Sequence, residues 1–429
     1  MNDLSSSSGR GARPATLFRA ALAAALLLCW PGTPSPVAGA QDLVLSGAHI
    51  VDVETGEVHR NRTVVIRDGR IRTVEPAGGG DGREAGPGVE RIDLGGRYLA
   101  PGLMDAHVHF TAEEAARRAL HSGVTTARSM GASRYDDVAL GALIRGGHAE
   151  GPELLSAGYH VRPGIPFGFF LDHPDLGHLR DDPVRSSQVI RSVVRANLDR
   201  GVDWIKMPST ERAGLPDTDP RRQVFDEDQM RAGVDEAALR GVPVAAHAHG
   251  DEGARAAVLA GVRSIEHGTY MSDETLRLMA ERGTYLVPTI AIVTDLTQPG
   301  GDYDSATLRI RGRHMLPRLR EMTRRAHELG IPIVASTDTG YGPQSVVRVA
   351  HELIEFVDHV GMTSLEALRS ATVVAAELFG IQDRTGRIAP GLEADLIVLE
   401  HNPLEDIATV QDVLMVITDG RVAVRRGDW

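Results

Sequence analysis

Cysteine is almost absent from this chain, since Cys29 is the only one among 429 residues. It lies in an N-terminal segment that we expect to be removed on export, so the mature protein would contain no thiol. Disulfide bonds and catalysis by a cysteine nucleophile are therefore excluded for the mature protein. Its core must be stable without cross-links, which a chain with 42% hydrophobic residues allows.

The chain also lacks an excess of positive charge and an apolar run of membrane length. Its net charge of -12 argues against nucleic acid or an anionic membrane as the main partner. The apolar run ALAAALLLCW is short for a membrane span and precedes the cleavage pattern Ala38-Gly39-Ala40. Residues 1–40 are therefore predicted to be a secretory signal peptide of an exported protein, periplasmic or extracellular. A lipid anchor at Cys29 or an uncleaved anchor is the alternative.

Two β-rich segments flank a middle part of different character. Residues 41–100 and 386–429 contain short runs rich in valine and isoleucine, separated by Asp-Gly and Gly-Gly turns. We predict that they form one small β-sandwich domain built from both chain ends. Residues 101–385 alternate between helical and strand patterns and are predicted to form the main domain.

A repeated junction in this main domain indicates parallel strands. Six helical segments end at a glycine that is followed by a short β-branched run, as glycine favours the left-handed conformation that ends helices. These glycines are Gly123, Gly201, Gly241, Gly261, Gly283 and Gly330. With strands at MDAHVHF and near ELLSAGYHV, the count is eight, which predicts an α/β fold with a (β/α)8 TIM barrel. An open doubly wound sheet is the alternative, although no GxGxxG turn follows an early strand.

Candidate metal ligands lie where the predicted strands end. His107 and His109 are two residues apart on the first barrel strand, so they share a face and can form half of a metal site. The later strands end at Lys206, His247, His267 and Asp338. Because the carboxyl ends of barrel strands meet at one rim, we predict that all six residues share a metal site there.

The motifs around these residues resemble those of the amidohydrolase superfamily, from residue 41 to the C-terminus. The matching stretches are DAHVHF, WIKM, HAHG, IEHG, STDTG and GRIAPGLEADLIVL. They are most similar to the imidazolonepropionase-like and prolidase-like group, which includes Xaa-Pro dipeptidases and a zinc-dependent arginine carboxypeptidase. The resemblance implies a metal-dependent hydrolase with two divalent ions, expected to be Zn²⁺, and carbon dioxide bound to Lys206 as a carbamate.

The resemblance also assigns roles to individual residues. One ion would be held by His107, His109 and Asp338. The second would be held by His247 and His267, and carboxylated Lys206 would touch both. A hydroxide between the ions would then attack the amide bond of a dipeptide or N-acyl amino acid, with Asp338 as general base and acid. The implied substrate is a small molecule.

Three alternatives stay open at this point. The same site could cleave a lactone or another ester. A mononuclear deaminase could use His249 and Glu252, which show the spacing of a histidine followed three residues later by a glutamate. A non-catalytic binding barrel is the third, although the chain retains all six ligands. Homo-oligomerisation is also left open.

Substrate contacts are predicted from position alone. The candidates near the rim are His160, Arg162, His249 and Tyr341, with Arg212 as a further carboxylate ligand. Phe167, Phe169 and Phe170 are expected to cover the site, to line an acyl pocket or to pack against another subunit.

Two acidic residues next to the ligands are expected to have structural roles. Glu266 alternates away from His267 along the strand, so we expect it to face the helices. Asp105 is expected to lie below the ligands as a packing or hydrogen-bonding partner.

Overall fold

The structure is a computed structural model that describes residues 42–77, 89–180 and 184–427. The predicted signal peptide lies outside these residues, so it stays a prediction. Within the described part of the chain, we find no helix that combines the length and the apolar character needed to cross a membrane.

Strands occur at both ends of the chain and throughout its middle. In chain order they are β1 (Leu43–Val51), β2 (Val58–Arg67), β3 (Arg70–Pro76), β4 (Glu90–Asp93), β5 (Tyr98–Pro101), β6 (Leu103–Val108), β7 (Val124–Ser129), β8 (Glu153–Leu155), β9 (Ile205–Pro208), β10 (Val244–Gly250), β11 (Ser264–Tyr270), β12 (Tyr285–Val287), β13 (Leu396–Leu399), β14 (Val413–Thr418) and β15 (Arg421–Arg425).

The α-helices are confined to the middle of the described chain. They are α1 (Glu113–His121), α2 (Asp136–Arg145), α3 (Phe167–Asp172), α4 (Ser187–Asp199), α5 (Glu227–Ala238), α6 (Asp251–Ala260), α7 (Asp273–Arg282), α8 (Ile290–Asp295), α9 (Ala306–Glu328), α10 (Val349–Glu355), α11 (Ser364–Ser370) and α12 (Val373–Phe379).

Both chain ends meet in one eight-stranded sheet. Its order is β15-β14-β13-β5-β1-β2-β3, with β4 paired to β1. Two-residue turns at Asp68-Gly69 and Asp419-Gly420 have positive φ at both positions, as tight hairpins require. Leu43, Ile66 and Leu396 belong to a separate apolar core of this sheet. Strands from both chain ends therefore share one sheet, and the small β-sandwich domain stays a prediction.

The middle of the chain forms two parallel sheets, β6-β7-β8 and β9-β10-β11-β12. Backbone hydrogen bonds connect their edges, since Trp204 N donates to Ser156 O at 3.0 Å and Val161 N to Lys206 O at 2.9 Å. The six glycines predicted to end helices all have left-handed φ values, between 65° and 99°. The structure is therefore an α/β fold in which the predicted helix-to-strand junctions are present.

The predicted eighth strand, in IPIVASTDTG, does not form a regular strand. It makes only isolated parallel bridges, Leu286 with Ile333 and Val108 with Thr339. Pro332 has no N–H to donate, and Asp338 adopts φ 56°, so the ladder is interrupted on both sides of this segment. It still accepts a hydrogen bond from Ala106 N at Ala335 O (3.0 Å). A closed eight-stranded barrel therefore stays a prediction.

Candidate active site

A cavity of about 610 Å³ opens at the carboxyl ends of the parallel strands. All six predicted metal ligands line it, namely His107, His109, Lys206, His247, His267 and Asp338. The structure thus brings together side chains that are spread over more than 230 residues of sequence, from residue 107 to residue 338. The prediction that the strand ends share one site agrees with this placement.

The first group in the cavity consists of His107, His109 and Asp338, whose ligand atoms all lie within 4.8 Å of one another. Asp338 Oδ1 is 3.1 Å from His109 Nε2 and 3.5 Å from His107 Nε2. The Asp338 backbone N–H donates to His107 O at 2.7 Å, which fixes the carboxylate beside the β6 histidines. Burial acts to raise the pKa of Asp338, but His107 and His109 lower it to about 2, so the carboxylate is ionised.

The second group contains His247, His249 and His267, again with ligand atoms within 4.8 Å. The rings of His249 and His267 stack, with centroids 4.7 Å apart and an interplanar angle of 13°. His249, predicted from the sequence as a substrate contact, therefore lies directly against a predicted ligand. It lines the same cavity.

Lys206 lies at the boundary of the first group, with its Nζ 3.5 Å from His107 Nε2. Lys206 is only 2% exposed, so its ammonium group does not extend into solvent. Burial lowers the pKa of Lys206 to about 8, so a substantial neutral fraction is present near that pH. Lys206 is also the only lysine in the chain, all other fixed cations being arginine. A single lysine at this position indicates chemistry that a guanidinium cannot provide.

Four imidazoles are fixed by a hydrogen bond at Nδ1. The contacts are His107 to Glu266 Oε2 (2.7 Å), His109 to Gly131 O (3.1 Å), His249 to Thr269 Oγ1 (2.9 Å) and His267 to Thr289 Oγ1 (2.8 Å). Burial lowers the pKa of His107, His247 and His267 well below the usual value, which favours neutral rings. A neutral imidazole whose Nδ1 is hydrogen-bonded leaves Nε2 as a free electron-pair donor.

Glu266 does not face the helices, so that prediction is wrong. It is fully buried and contacts both His107 and the Arg128 guanidinium of β7. The physical reason is the backbone of His267, which has φ 75°. A left-handed residue breaks the strict alternation of a strand, so Glu266 and His267 both point toward His107.

Asp105 lies below the ligands, where the sequence placed it. Its carboxylate accepts hydrogen bonds from His107 N (3.2 Å), Thr337 Oγ1 (2.7 Å) and Tyr341 Oη (2.9 Å). Tyr341 is 0% exposed and does not line the cavity among the described residues. The prediction that Tyr341 contacts the substrate is therefore wrong. The chain turns at Tyr341 with φ 49°, and its ring packs inward toward Asp105.

The three phenylalanines of the loop after β8 also lie away from the cavity. Residues 167–172 form the short helix α3 instead of an extended cover. Phe169 is buried against Tyr159, with ring centroids 5.3 Å apart, whereas Phe167 is 59% exposed. None of these phenylalanines, all within the described residues, lines the cavity. The predicted cover or acyl pocket is therefore wrong.

His160 and Arg162 do line the cavity, as predicted. His160 Nε2 contacts Met130 O at 2.6 Å. Only glycine fits beside this ring, because a Cβ on Gly131 would lie 2.2 Å from His160 Nε2 and the glycine has φ 125°.

Sequence reasoning missed Tyr303, whose hydroxyl donates to Asp338 O at 3.3 Å from the loop before α9. The other site residues were predicted because they lie at the ends of strands. Tyr303 does not follow a strand, so this criterion did not identify it.

The fold and the site are those expected of a hydrolase, with histidine, lysine and aspartate side chains gathered where parallel strands end. Residues 98–423 match the model of the Amidohydrolase family, and the chain belongs to that family. The predicted superfamily is confirmed, and the chain is therefore a hydrolase acting on carbon–nitrogen bonds.

Several characterised or solved proteins are similar to this chain. It is 29% identical over 351 residues to the ochratoxinase of Aspergillus niger, covering 73% of this chain and 72% of that protein. A Bifidobacterium longum protein provisionally assigned as a prolidase has 31% identity and a TM-score of 0.77, over 91% of this chain and 96% of that chain. A Xaa-Pro dipeptidase solved with methionine in its active site has 27% identity and a TM-score of 0.76, over 89% and 99%.

Proposed function

We propose that this protein is a metal-dependent hydrolase of the amide bond in dipeptides or N-acyl amino acids. The observation that carries the proposal is the position of His107 Nε2, which lies 3.5 Å from both Lys206 Nζ and Asp338 Oδ1. This contact joins the lysine to the first ligand group at the inner end of the cavity. We further propose that the two parallel sheets belong to one (β/α)8 barrel and that the protein is exported.

The residues present fit a pair of divalent cations. Imidazole nitrogens converge in two groups, the first of which also contains the Asp338 carboxylate, and the Nδ1 contacts of His107 and His267 leave their Nε2 atoms free to bind a cation. His107, His109 and Asp338 would hold one ion, and His247 and His267 the other. Lys206, carboxylated by carbon dioxide, would supply one oxygen to each. This mixed nitrogen and oxygen donor set suits Zn²⁺. When bound, such ions polarise a scissile carbonyl and lower the pKa of water.

Asp338 is placed to move the proton during hydrolysis. Its ionised carboxylate lines the cavity and lies next to the ligand histidines, so it can accept a proton from the attacking water. The same group can then protonate the leaving amine nitrogen. The hydrogen bond from the Asp338 N–H to His107 O keeps the carboxylate in that position throughout.

The dimensions of the cavity suit a substrate of dipeptide size. A volume of about 610 Å³ lies within the range of small-molecule pockets. The names of the relatives agree with an amide or peptide substrate, since one is a Xaa-Pro dipeptidase and others are an ochratoxinase and a provisionally assigned prolidase. His160, Arg162 and His249 are the proposed substrate contacts among the residues that line the cavity.

The deaminase alternative is disfavoured by the position of Glu252. This residue lies in the first turn of α6, is exposed, and does not line the cavity among the described residues. A proton-transferring acid must reach the reacting atoms within hydrogen-bond distance. The amide hydrolase is therefore the function that we put forward.

The test is a hydrolysis screen of the purified protein supplied with Zn²⁺ and bicarbonate. Amine release from dipeptides and N-acyl amino acids would be followed, with Asp338→Asn as the matched variant. Release that is lost in Asp338→Asn assayed at saturating Zn²⁺ supports the proposal. If the metal-loaded protein releases no amine from any of these substrates, the proposal is wrong and lactones become the next class to test.

A further inference from the structure

Glu352 is a fully buried acidic residue that the proposed reaction does not use. It lies on α10 with 0% exposure and does not line the cavity among the described residues. Its carboxyl group accepts two backbone hydrogen bonds, from Ile290 N to Oε1 at 2.9 Å and from Ala291 N to Oε2 at 2.6 Å. Burial of a carboxyl group costs free energy that such hydrogen bonds offset. Packing alone therefore does not account for an acidic residue at this position.

The backbone that Glu352 binds directly follows Thr289. Thr289 has φ 56° and ψ 47°, a left-handed conformation that is uncommon for a β-branched residue. Such a conformation persists only where the surrounding structure holds it in place. The two hydrogen bonds to Glu352 fix the N–H groups of the next two residues, so they stabilise the turn of the chain at Thr289.

Thr289 connects this turn to a proposed metal ligand. Its Oγ1 is 2.8 Å from His267 Nδ1, and both residues line the cavity. Thr289 is 0% exposed and His267 is 4% exposed, so water does not compete for this contact. A hydroxyl oxygen that accepts a hydrogen bond from Nδ1–H keeps the proton on that nitrogen and leaves Nε2 free to bind a cation. The position of the Thr289 hydroxyl therefore sets the direction of the His267 ring.

We propose that Glu352 is a positioning residue for His267 and that it acts through Thr289. This role rests on the metal site of the proposed function. The path consists of buried hydrogen bonds of 2.9 Å or less, from Glu352 to the backbone after Thr289 and from the Thr289 hydroxyl to His267. Loss of the Glu352 contacts releases the turn at Thr289, and the His267 ring then loses its fixed partner. The cation at His267 is therefore expected to bind more weakly.

Glu355, one turn later on α10, is the matched control. It is also buried and contacts the same helix α8, since Thr294 Oγ1 donates to Glu355 Oε1 at 2.6 Å. It forms an ion pair with Arg320 as well. These contacts lie near the end of α8 that is farther from Thr289. Glu355→Gln should therefore lower the free energy of unfolding and leave metal affinity unchanged.

The experiment is a double-mutant cycle on Zn²⁺ affinity, measured in bicarbonate buffer by competition with a chelator. Thr289→Val removes the hydroxyl and should lower the affinity for one of the two ions about 10-fold. Glu352→Gln should give a similar loss, because the glutamine amide nitrogen cannot accept a hydrogen bond from a backbone N–H. The double variant should lose no more than the larger single loss, since both changes break the same path. Urea unfolding of each metal-free variant measures stability separately.

Three results would overturn this role of Glu352. The losses could multiply in the double variant to about 100-fold, which would show that Glu352 acts independently of Thr289. Zn²⁺ affinity could be unchanged in folded Glu352→Gln. Glu355→Gln could lose as much affinity as Glu352→Gln, which would indicate general destabilisation. If Glu352→Gln does not fold, Glu352→Asp replaces it in the same cycle, because its carboxyl group is one methylene farther from the two N–H groups.

Metal affinity is measured without a substrate, so the result is separate from the test of amide hydrolysis. Losses that are coupled between Glu352 and Thr289 support the positioning role even if no amide is cleaved. Uncoupled losses in a protein that cleaves amides contradict only the positioning role. A wild-type protein that binds no Zn²⁺ would overturn both this role and the proposed function.

Discussion

Glu266 Oε2 lies 2.7 Å from His107 Nδ1, and both side chains are buried. The other carboxylate oxygen accepts hydrogen bonds from Arg128 Nη2 (2.9 Å) and Ser264 Oγ (2.6 Å). The Arg128 guanidinium in turn stacks over Trp204, 4.3 Å from the ring centroid. This chain of contacts holds a proton on His107 Nδ1, so that Nε2 faces Lys206 and Asp338.

Replacement of Glu266 by glutamine should weaken metal binding. The Glu266→Gln side chain keeps its size but loses the charge that orients His107 and balances the buried Arg128. We expect the affinity for Zn²⁺ to fall about 10- to 100-fold. The measurement is competition with a chelator of known affinity. Ser264→Ala removes only one hydrogen bond to Glu266 and should give a smaller loss in the same direction.

The matched control for that experiment is Glu281→Gln, an exposed glutamate of α7. It should leave both metal affinity and thermal stability unchanged. An unaltered Zn²⁺ affinity in folded Glu266→Gln would show that Glu266 has no part in orienting the ligand.

Because Lys206 is the only lysine of the chain, its carboxylation can be observed directly. Protein loaded with metal in ¹³C-bicarbonate should show one side-chain carbamate resonance in the carbon-13 spectrum. Lys206→Ala should lose this resonance and most of its bound metal, because an anionic ligand between the two groups is missing. Acetate added to Lys206→Ala should restore part of the metal content, since it can supply the missing carboxylate. Normal metal content in Lys206→Ala without acetate would contradict the bridging role.

The sequence predicted which side chains of the parallel strands meet at one cavity. His107, Lys206, His247 and His267 lie in the parallel strands β6, β9, β10 and β11, so their convergence depends only on the order of parallel strands. The direction of the Glu266 side chain was predicted wrongly. The left-handed backbone of His267 interrupts the alternation of side chains along the strand, and the sequence pattern does not reveal it. The amino-acid composition also indicates this site, because the single lysine of the chain is Lys206.

Predictions about loops failed for a different reason. The direction of Tyr341 depends on a turn of the chain and on a buried partner, Asp105, that is 236 residues away in sequence. Phe169 packs on Tyr159 because α3 forms, and a six-residue helix has too little periodicity to be detected in a sequence. Local patterns fix neither contact.

Asp395 should make the stability of the protein depend on pH. Burial and the neighbouring charge of Asp419 raise the pKa of Asp395 from its usual value of 3.8 to about 7. The folded state therefore holds a proton between pH 3.8 and 7 that the unfolded state has released, so stability falls as pH rises through this window. The loss is on the order of a few kcal/mol.

Urea unfolding at pH 5 and pH 8 measures this effect. Asp395→Asn cannot titrate, so its free energy of unfolding should decrease less between the two pH values than that of the wild type. Asp412→Asn, an exposed aspartate, should behave as the wild type does. Equal pH dependence in Asp395→Asn and the wild type would rule out Asp395 as the source.

Arg311 should control substrate binding without contacting the reacting atoms. From α9, its guanidinium donates to the carbonyl oxygens of Ala213, Leu215, Pro216 and Thr218. This loop lines the cavity and follows Arg212, so its conformation sets the shape of the wall that faces the substrate. In Arg311→Ala these carbonyls lose their common donor and the loop gains conformational freedom, so substrate binding must order the loop again.

We expect KM to rise about 10-fold with kcat nearly unchanged, because the free energy needed to order the loop affects binding and not the proton transfer at Asp338. Arg318→Ala, exposed on the same helix, is the matched control. A fall in kcat at constant KM would place Arg311 in the chemical step and contradict this assignment.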